Sequence, residues 1–327
     1  MISRGRVVGF AIISVLGGIA LGAPFVAPSE PWRQHADLAY APPMPPRILD
    51  DRGRLRWPFV YPLLIADRLE RRYVEDVSHP APLRFFADGR LASTATGAWF
   101  PLGADPLGRD VFSRVVYGAR RSLAVALLAV VLALGIGALA GAVAGYAGGL
   151  ADRIIMTLAD FLVILPAAYV VVTLRASMPL MLSTSQVFWT MVIVLAAASW
   201  PLPARGVRSI VGAERRREYA EAAYAAGAGP LRILLRHLLP AARSHLVAQA
   251  FLLFPAFILA EATLSFLGLG FAEPSASWGM MLQDAGRVAV ITEAPWMLAP
   301  AAAIVAAVLA LHLVTANSAE SEAAVRL

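Results

Sequence analysis

The feature that most constrains this chain is a run of thirty residues without a charged side chain, at positions 122–151. A helix rises 1.5 Å per residue, so about 20 apolar residues cross a bilayer core of about 30 Å. The composition agrees, with 59% hydrophobic and 15% charged residues and a mean hydropathy of +0.67. The sequence therefore predicts a membrane protein, not a pair of soluble domains.

Six segments are long and apolar enough to span the bilayer, which predicts an all-α membrane protein with six transmembrane helices. They cover residues 7–28, 122–151, 154–174, 186–204, 246–269 and 295–314. The first could instead be a cleaved signal peptide. Its 22 apolar residues exceed the roughly 7–15 that are usual in such a peptide, so a retained anchor is favoured.

The second predicted span carries glycines at four-residue spacing. They are Gly137, Gly141, Gly145 and Gly149. A row of small residues lets another helix approach closely, so the row predicts a helix-packing face. Such a face suits a transport protein and a generic membrane bundle equally well.

The basic residues predict the orientation. With six spans, the N-terminal tail, Arg153 and the eight arginines of residues 205–243 all fall on one side. Arginine in short loops marks the cytoplasmic side, so both termini are predicted to be cytoplasmic. Residues 29–118 contain 12 arginines and 11 acidic residues, but long loops are translocated largely regardless of charge, and this segment is predicted to face outward.

The predicted organisation has four parts. They are residues 1–28, the N-terminus and first span; 29–118, the outer segment; 119–316, a five-helix core that includes the cytoplasmic loop 205–243; and 317–327, a cytoplasmic tail. Many aromatic residues in the outer segment indicate a small packed cap, because a disordered tether carries few. The charged residues of positions 68–76 predict a helix with a solvated face.

Two missing residue types exclude several kinds of chemistry. Every basic residue is arginine, and a phosphate-binding Walker A loop or a Schiff base requires lysine. The absence of cysteine excludes disulfides and thiolate-bound metals. No catalytic triad, paired-carboxylate site or metal-ligand spacing is recognisable, so we predict no enzyme, no catalytic or metal site and no nucleic-acid partner.

The loop 205–243 contains the segment EYAEAAYAAGAGPLRILLRHLLP, residues 218–240. The pattern predicts an Ala-rich helix, a break at Gly227, Gly229 and Pro230, and a second amphipathic helix that ends at Pro240. Such a pair of helices can dock in a groove of another protein or lie on anionic lipid. Amphipathicity serves both interpretations, and the two stay open on this ground alone.

This segment resembles the EAA loop of ABC importer permeases. The matching residues are Glu221, Ala222, Ala223, Gly227, Leu239 and Pro240. His237 stands where the general pattern has isoleucine, and a histidine there resembles the oligopeptide branch. Residues 102–123 (LGADPLGRDVFSRVVYGARRSL) and 261–282 (EATLSFLGLGFAEPSASWGMML) are similar to two further segments of that branch. The chain thus resembles the oligopeptide/dipeptide (peptide/nickel) importer permeases, although its outer segment is longer and its C-terminus lacks their usual Gly- and Asp-containing tail.

The resemblance implies a type I ABC importer permease fold in a bacterial inner membrane, with an extracytoplasmic insertion between helices 1 and 2. It implies a heterodimer with a second homologous permease, two ABC ATPase subunits and an extracytoplasmic solute-binding protein, all working in membrane lipid. No cofactor is expected on this chain, and ATP and magnesium are expected on the partner ATPase. The EAA loop would couple ATPase closure to transport of peptides or similar small solutes.

Four further residues are candidates for function. Asp160 and Glu261 lie within predicted spans, where a carboxylate costs about 2.5–3.5 kcal/mol, and each serves either the pathway or gate or a structural hydrogen bond. Trp278 and Gly279 are predicted at the outer face, as an interfacial anchor or a contact for the binding protein. Two rival functions remain, an ion-coupled secondary transporter and a degenerate, non-transporting permease scaffold.

Overall fold

The computed structural model describes residues 4–67, 70–164, 167–177, 179 and 182–325. In chain order its α-helices are α1 (Arg4–Leu21), α2 (Ala23–Val26), α3 (Val111–Ala147), α4 (Gly149–Ile164), α5 (Ala167–Ala176), α6 (Thr184–Ser199), α7 (Pro201–Glu214), α8 (Glu218–Ala225), α9 (Pro230–Ile233), α10 (Arg243–Phe266), α11 (Trp278–Ala285), α12 (Val288–Glu293) and α13 (Ala299–Val325). The strands are β1 (Arg47–Leu49), β2 (Leu55–Val60), β3 (Leu63–Asp67), β4 (Arg72–Glu75), β5 (Ala81–Phe85) and β6 (Ala92–Thr94).

Long apolar helices occupy most of the predicted spans. Among the described residues, four helical stretches are long and apolar enough to cross a membrane, namely Arg4–Leu21, Val111–Ala147, Pro230–Phe266 and Pro295–Thr315. Helices α6 and α7 meet at a bend of 47° and make a fifth if the pair is one broken span. The predicted third span corresponds to α4 and α5, and Leu165 and Pro166 between them lie outside the described residues. A count of six spans therefore stays a prediction.

The chain divides into two compact units. The first comprises Met1–Leu123 and Ala262–Leu327. In this unit α1 packs along α13, and Gly9 makes the close approach possible, because a Cβ there would lie 2.7 Å from the Ala310 carbonyl oxygen. Two small residues, Ala23 at the start of α2 and Ala27 just after its end, pack against Val116 near the start of α3.

The insertion between α2 and α3 also belongs to the first unit, and it is a β-structure. Strands β1, β2, β5 and β6 form an antiparallel sheet in that order, and β3 pairs with β4. The sheet residues and the segments around them enclose a small core made of Ala41, Met44, Val60, Ala81, Leu83, Phe100 and Ala104. The segment is packed, as its aromatic content predicts, but the all-α expectation is wrong for this part of the chain.

The charged helix predicted over positions 68–76 is wrong for residues 70–76, and residues 68 and 69 lie outside the described residues. Residues Arg72–Glu75 form β4, and Tyr73 pairs with Ile65 of β3. Tyr73 packs against the insertion core, and its hydroxyl donates to the Ala39 carbonyl oxygen at 2.5 Å. Exposure alternates along β3, and in β4 only Tyr73 is half-buried. Pairing with β3 therefore outweighed the charge pattern from which the helix was predicted.

The second unit, Ala124–Glu261, contains the predicted glycine row. A Cβ at Gly137 would lie 2.8 Å from Pro203 Cβ, one at Gly141 would lie 2.9 Å from Val207 Cβ, and one at Gly145 would lie 2.6 Å from the Arg208 carbonyl oxygen. These three glycines therefore form the face on which α7 packs. Gly149 departs from the row, because it has a φ of +56° at the break before α4 and open space around it.

We expect Gly141→Ala to destabilise the protein by about 1–3 kcal/mol, because the new methyl group would overlap the α7 backbone and push the helices apart. Gly135→Ala is the matched control on the same helix, since a Cβ there meets nothing within 4 Å. It should be neutral or slightly stabilising, because alanine favours helix over glycine. Thermal unfolding of the purified, detergent-solubilised protein measures both, and equal effects would contradict the packing assignment.

Candidate functional site

The loop after α7 contains the EAA-like segment and folds as two helical pieces with a tight turn between them. Helix α8 is followed by α9, a π-helical turn at Leu234–Leu238 and a 3-10 turn at Leu239–Ala242. The prediction that the second helix ends at Pro240 is wrong, because the helical path continues into α10. Proline has no N–H to donate to the preceding turn, and the chain accommodates it by changing helix type.

Gly227 makes the tight turn. Its φ is +83°, a left-handed conformation that glycine adopts without steric cost. The amide of Ala228 donates to the Ala223 carbonyl oxygen at 3.0 Å, and the amide of Gly227 donates to that of Tyr224 at 2.9 Å. These two bonds form a Schellman motif that ends α8. Pro230 then occupies the first turn of α9, where no amide donor is required.

One face of the loop is anchored in the second unit. Ala220 of α8 is buried, and Ala223 packs beside it at the edge of the same cluster. The fully buried members of this cluster are Ala142, Val207, Val211, Ala220, Ile233, Leu238 and Ala242. Helix α7 and the end of α3 therefore form a rigid support beneath α8 and α9. Small alanines are needed because they let α8 lie close to that support.

The opposite face of the loop exposes apolar side chains, and we call it the coupling face. Tyr224 is 72% exposed and Leu231 is 68% exposed, and Leu235 and Glu221 are exposed beside them. A shallow depression on this face is lined by Gly229, Pro230, Leu231, Arg232, Leu235 and Arg236. An exposed apolar patch with charged neighbours is typical of a protein interaction site. Ala222 is exposed, whereas His237, Leu239 and Pro240 are half-buried.

Several arginines of the loop and of α7 hold the helices together. Arg208 binds the Asp152 carboxylate with two hydrogen bonds of 2.5 Å. Arg215 donates to the Tyr146 carbonyl oxygen and lies 5.2 Å from the centre of the Tyr146 ring. These side chains serve packing within the second unit, so they do not form a free basic patch.

Tyr219 adds a polar contact at the start of α8. Its hydroxyl donates to Glu214 at 2.7 Å, across the turn that joins α7 to α8. Burial and this bond to a carboxylate raise the pKa of Tyr219 above its ordinary value. The hydroxyl therefore stays protonated and keeps its donor role.

The two carboxylates predicted within spans, Asp160 and Glu261, have different surroundings. Asp160 forms an ion pair with Arg205 of α7, which offsets the cost of a charge in an apolar helix. Glu261, in α10, is completely buried. A role for either residue in a pathway or gate stays a prediction.

A buried ionic cluster precedes α3 in the first unit. Arg109 donates to Asp105 at 2.6 Å and binds both carboxylate oxygens of Glu273, one of them at 2.8 Å. Arg114 lies 3.4 Å from Asp105 and 3.5 Å from Glu273. Burial opposes the charge on Arg109, but hydrogen bonds to Glu273 and the charge of Asp105 raise its pKa. The cluster fastens the segment before α3 to the segment after α10.

The cluster lies in residues 102–123 and 261–282, which were identified from the sequence only because they resemble segments of the importer permeases. The ion pairs between the two segments were not predicted. The available signal was the alternation of Asp105, Arg109, Asp110 and Arg114 beside an apolar span, because charges at such a boundary require partners. Glu273 is 164 residues from Arg109, and no local pattern predicts that pairing.

Asp110 caps the first turn of α3. Its carboxylate accepts hydrogen bonds from the Ser113 amide at 2.9 Å, the Ser113 hydroxyl at 2.5 Å and the Phe112 amide at 3.2 Å. Burial raises the pKa of Asp110 from its ordinary 3.8 to about 7, and the bonds from Ser113 and Phe112 only partly oppose this shift.

Trp278 and Gly279 begin α11 in the interior of the first unit. The indole of Trp278 is fully buried and donates to the Val115 carbonyl oxygen at 3.0 Å. A Cβ at Gly279 would lie 2.6 Å from the Ala262 Cα, so only glycine fits there. Their predicted roles at the outer face stay predictions.

Comparison with known proteins agrees with this arrangement. Residues 115–320 match the family model of the binding-protein-dependent transport system inner membrane component. The chain belongs to this family. It is therefore a multi-pass membrane protein and a permease subunit of an ABC importer, a transport subunit and not an enzyme.

Three relatives illustrate the branch. A peptide permease protein of Brucella ovis is 42% identical over 217 residues, 66% of this chain and 69% of the relative. The di/tripeptide transport system permease protein DppC of Pseudomonas aeruginosa is 39% identical over 218 residues, with the same coverage of each chain. The oligopeptide transport system permease protein OppC of Bacillus subtilis is 37% identical over 200 residues, 61% of this permease and 62% of OppC. The resemblance to oligopeptide and dipeptide importer permeases is confirmed.

We expect Arg109→Met to destabilise the permease by about 3–5 kcal/mol, because it removes one partner of a buried ion pair and leaves the buried Asp105 with Arg114, at 3.4 Å, as its nearby counter-charge. Arg47→Met is the matched control, since Arg47 pairs with Glu75 at 2.7 Å on the surface of the insertion, and exposed pairs contribute about 0–1 kcal/mol. Thermal unfolding in detergent measures both variants. Equal losses would show that the buried cluster contributes no more than a surface pair.

Asp110 should make stability depend on pH. Its folded-state pKa is raised, so the folded protein holds this proton more tightly, and the resulting stabilisation is complete below about pH 4 and lost as the pH rises through 7. Asp110→Asn keeps an acceptor for Ser113 but cannot titrate. We expect the melting temperature of the wild type to fall more between pH 5 and about 8 than that of Asp110→Asn. Parallel pH profiles would contradict this assignment.

Proposed function

We propose that this permease forms, with a second homologous permease, the translocation path for peptides or similar small solutes. The names of its relatives support a peptide cargo, since they describe a peptide permease, a di/tripeptide system and an oligopeptide system. The cargo is delivered by an extracytoplasmic solute-binding protein. This permease then supplies one half of the translocation path in the membrane, and the second permease supplies the other half.

The coupling face supports the energy-transfer step. Tyr224, Leu231 and Leu235 project from a pair of helices whose other face is packed on α7 and α3. Because the support is rigid, a force applied to these side chains would also move α7 and α3, on which the helices pack. We infer that the coupling face fits a cleft in a separate ATPase subunit, with one such subunit for each permease.

ATP and magnesium are held by that ATPase. This assignment agrees with the complete absence of lysine from the chain, because a Walker A site requires one. Hydrolysis on the partner then drives helix movement in this subunit. We also propose that both termini and the coupling face are cytoplasmic and that the β-structured insertion faces outward.

The residues in and near the spans have narrower proposed roles. Asp160 and Glu261 are candidates for the pathway or gate, and their alternative role is structural. For Trp278 and Gly279 the burial described above favours a role in shaping the outer end of the unit, on which the binding protein docks. The boundaries of the four parts of the chain follow the proposed topology.

The coupling assignment is tested by ATP-driven uptake in proteoliposomes that contain the complete complex. We expect Glu221→Arg and Gly227→Asp to abolish uptake while the permease still inserts and folds. A Cβ at Gly227 meets nothing within 4 Å, but the φ of +83° strains any other residue, so Gly227→Asp tests the turn itself. Glu221→Arg leaves the turn residues unchanged and tests the exposed face.

Glu70→Arg is the matched control, because it makes the same charge reversal at an exposed position of the insertion. It should leave uptake unchanged. Uptake at the wild-type rate by Glu221→Arg and Gly227→Asp would contradict ATPase coupling through this loop. Uptake driven by an ion gradient in the permease alone would instead support a secondary transporter.

A further inference from the structure

An exposed phenylalanine lies on a strained turn of the insertion. Phe86 is 73% exposed, follows β5, and has a φ of +56°, in a region that bulky residues rarely adopt. Its amide donates to the Leu91 carbonyl oxygen at 3.1 Å, which closes the turn of residues 86–91. We call residues 86–91 the aromatic turn. A large apolar side chain held outward by an unfavourable backbone indicates a function outside the chain.

The aromatic turn is attached to the end of the first apolar helix. The Leu91 amide donates to the Phe25 carbonyl oxygen of α2 at 2.6 Å. The rings of Phe25 and Phe86 lie 6.2 Å apart, and Arg90 donates to the Ala27 carbonyl oxygen at 3.4 Å. The turn therefore has a fixed position relative to the end of α1 and α2.

That position is where a bilayer surface should lie. The 18 residues of α1 extend about 27 Å, close to the thickness of a hydrocarbon core. The rings of Trp32 and Tyr117 lie 6.4 Å apart, edge to face. Tyr117 also packs against the cluster of Ala23, Ala27 and Val116, where α2 meets the start of α3. Tryptophan and tyrosine concentrate at membrane interfaces, so this level of the first unit has the composition of an interface.

The charges around the turn fit the same surface. Arg84 is exposed on β5 and Arg90 is half-buried within the turn, on either side of Phe86 in the sequence, whereas the exposed Asp88 carries one opposing charge, so the group has a net positive charge. Guanidinium groups match the geometry of phosphate oxygens, whereas an apolar ring favours the acyl boundary below them. An apolar side chain between two arginines is thus suited to a phospholipid headgroup layer.

We propose that the aromatic turn inserts Phe86, with Phe25 and Leu91 beside it, into the headgroup region of the phospholipid bilayer. The contact makes the insertion a membrane-bound cap with a fixed orientation relative to α1 and α2. The proposal depends on α1 being a membrane span and not on the identity of the cargo. A failure of this contact is therefore distinguishable from a failure of the transport function.

The absence of cysteine allows a direct test. Phe86→Cys is labelled with an environment-sensitive fluorophore in the complete complex, which is reconstituted in nanodiscs with lipids that carry a quenching group near the headgroup. Asp88→Cys is a second probe in the same turn that leaves Phe86 in place. Val77→Cys is the control, since Val77 is an exposed apolar residue next to the β3–β4 pair.

We expect the lipid quencher to reduce the signal of the two probes in the turn about twofold or more relative to the probe at position 77. Adding the solute-binding protein should not change that quenching. Equal quenching at all three positions would overturn the proposal. A loss of quenching at the turn when the binding protein is added would overturn it as well, because the occupant would then be a protein.

Discussion

The close contact between α3 and α7 is the interaction on which the functional part of the permease depends. Glycines on α3 let the two helices approach to backbone distance, where any larger side chain would overlap Pro203, Val207 or the Arg208 carbonyl oxygen. This approach brings Val207 and Val211 into the cluster that supports α8 and α9. Without it, the exposed side chains of the coupling face would have no rigid structure behind them. In the proposed coupling mechanism, this dense packing is what would pass movement of the loop to α7 and α3.

Arginine has two different uses in this chain. On α7 it joins helices, as in the pair of Arg208 with Asp152 and that of Arg205 with Asp160. Before α3 it is buried between Asp105 and Glu273, where a planar guanidinium with several donors satisfies more than one carboxylate. Lysine offers a single point charge and suits neither arrangement as well. Internal pairs add nothing to the net charge of +6, and most of that surplus lies in residues 205–243, which carry eight arginines and three glutamates.

The parts of the structure that were predictable are those with a local signal. Four-residue glycine spacing predicted the packing face, and Gly227 followed by Gly229 and Pro230 predicted the turn in the loop. The strands at Leu63–Asp67 and Arg72–Glu75 were not predicted, because their charged residues suggested a helix and their pairing depends on the insertion core. The path through Pro240 was missed for a related reason, since packing of Leu238 and Ala242 keeps the chain helical where proline alone would end it.

By itself, the sequence determined that the chain enters a membrane and which loop carries the EAA-like pattern. Because the chain has no lysine, the sequence also determined that it contains no Walker A site. These conclusions depend on composition and short-range periodicity, which act within a few turns of helix. Tertiary structure alone decided which residues of the loop face outward and which are anchored. It also decided that Arg109 meets Glu273 and that Phe86 lies beside Phe25. Such contacts join residues far apart in the chain, and only the folded packing brings their side chains within reach.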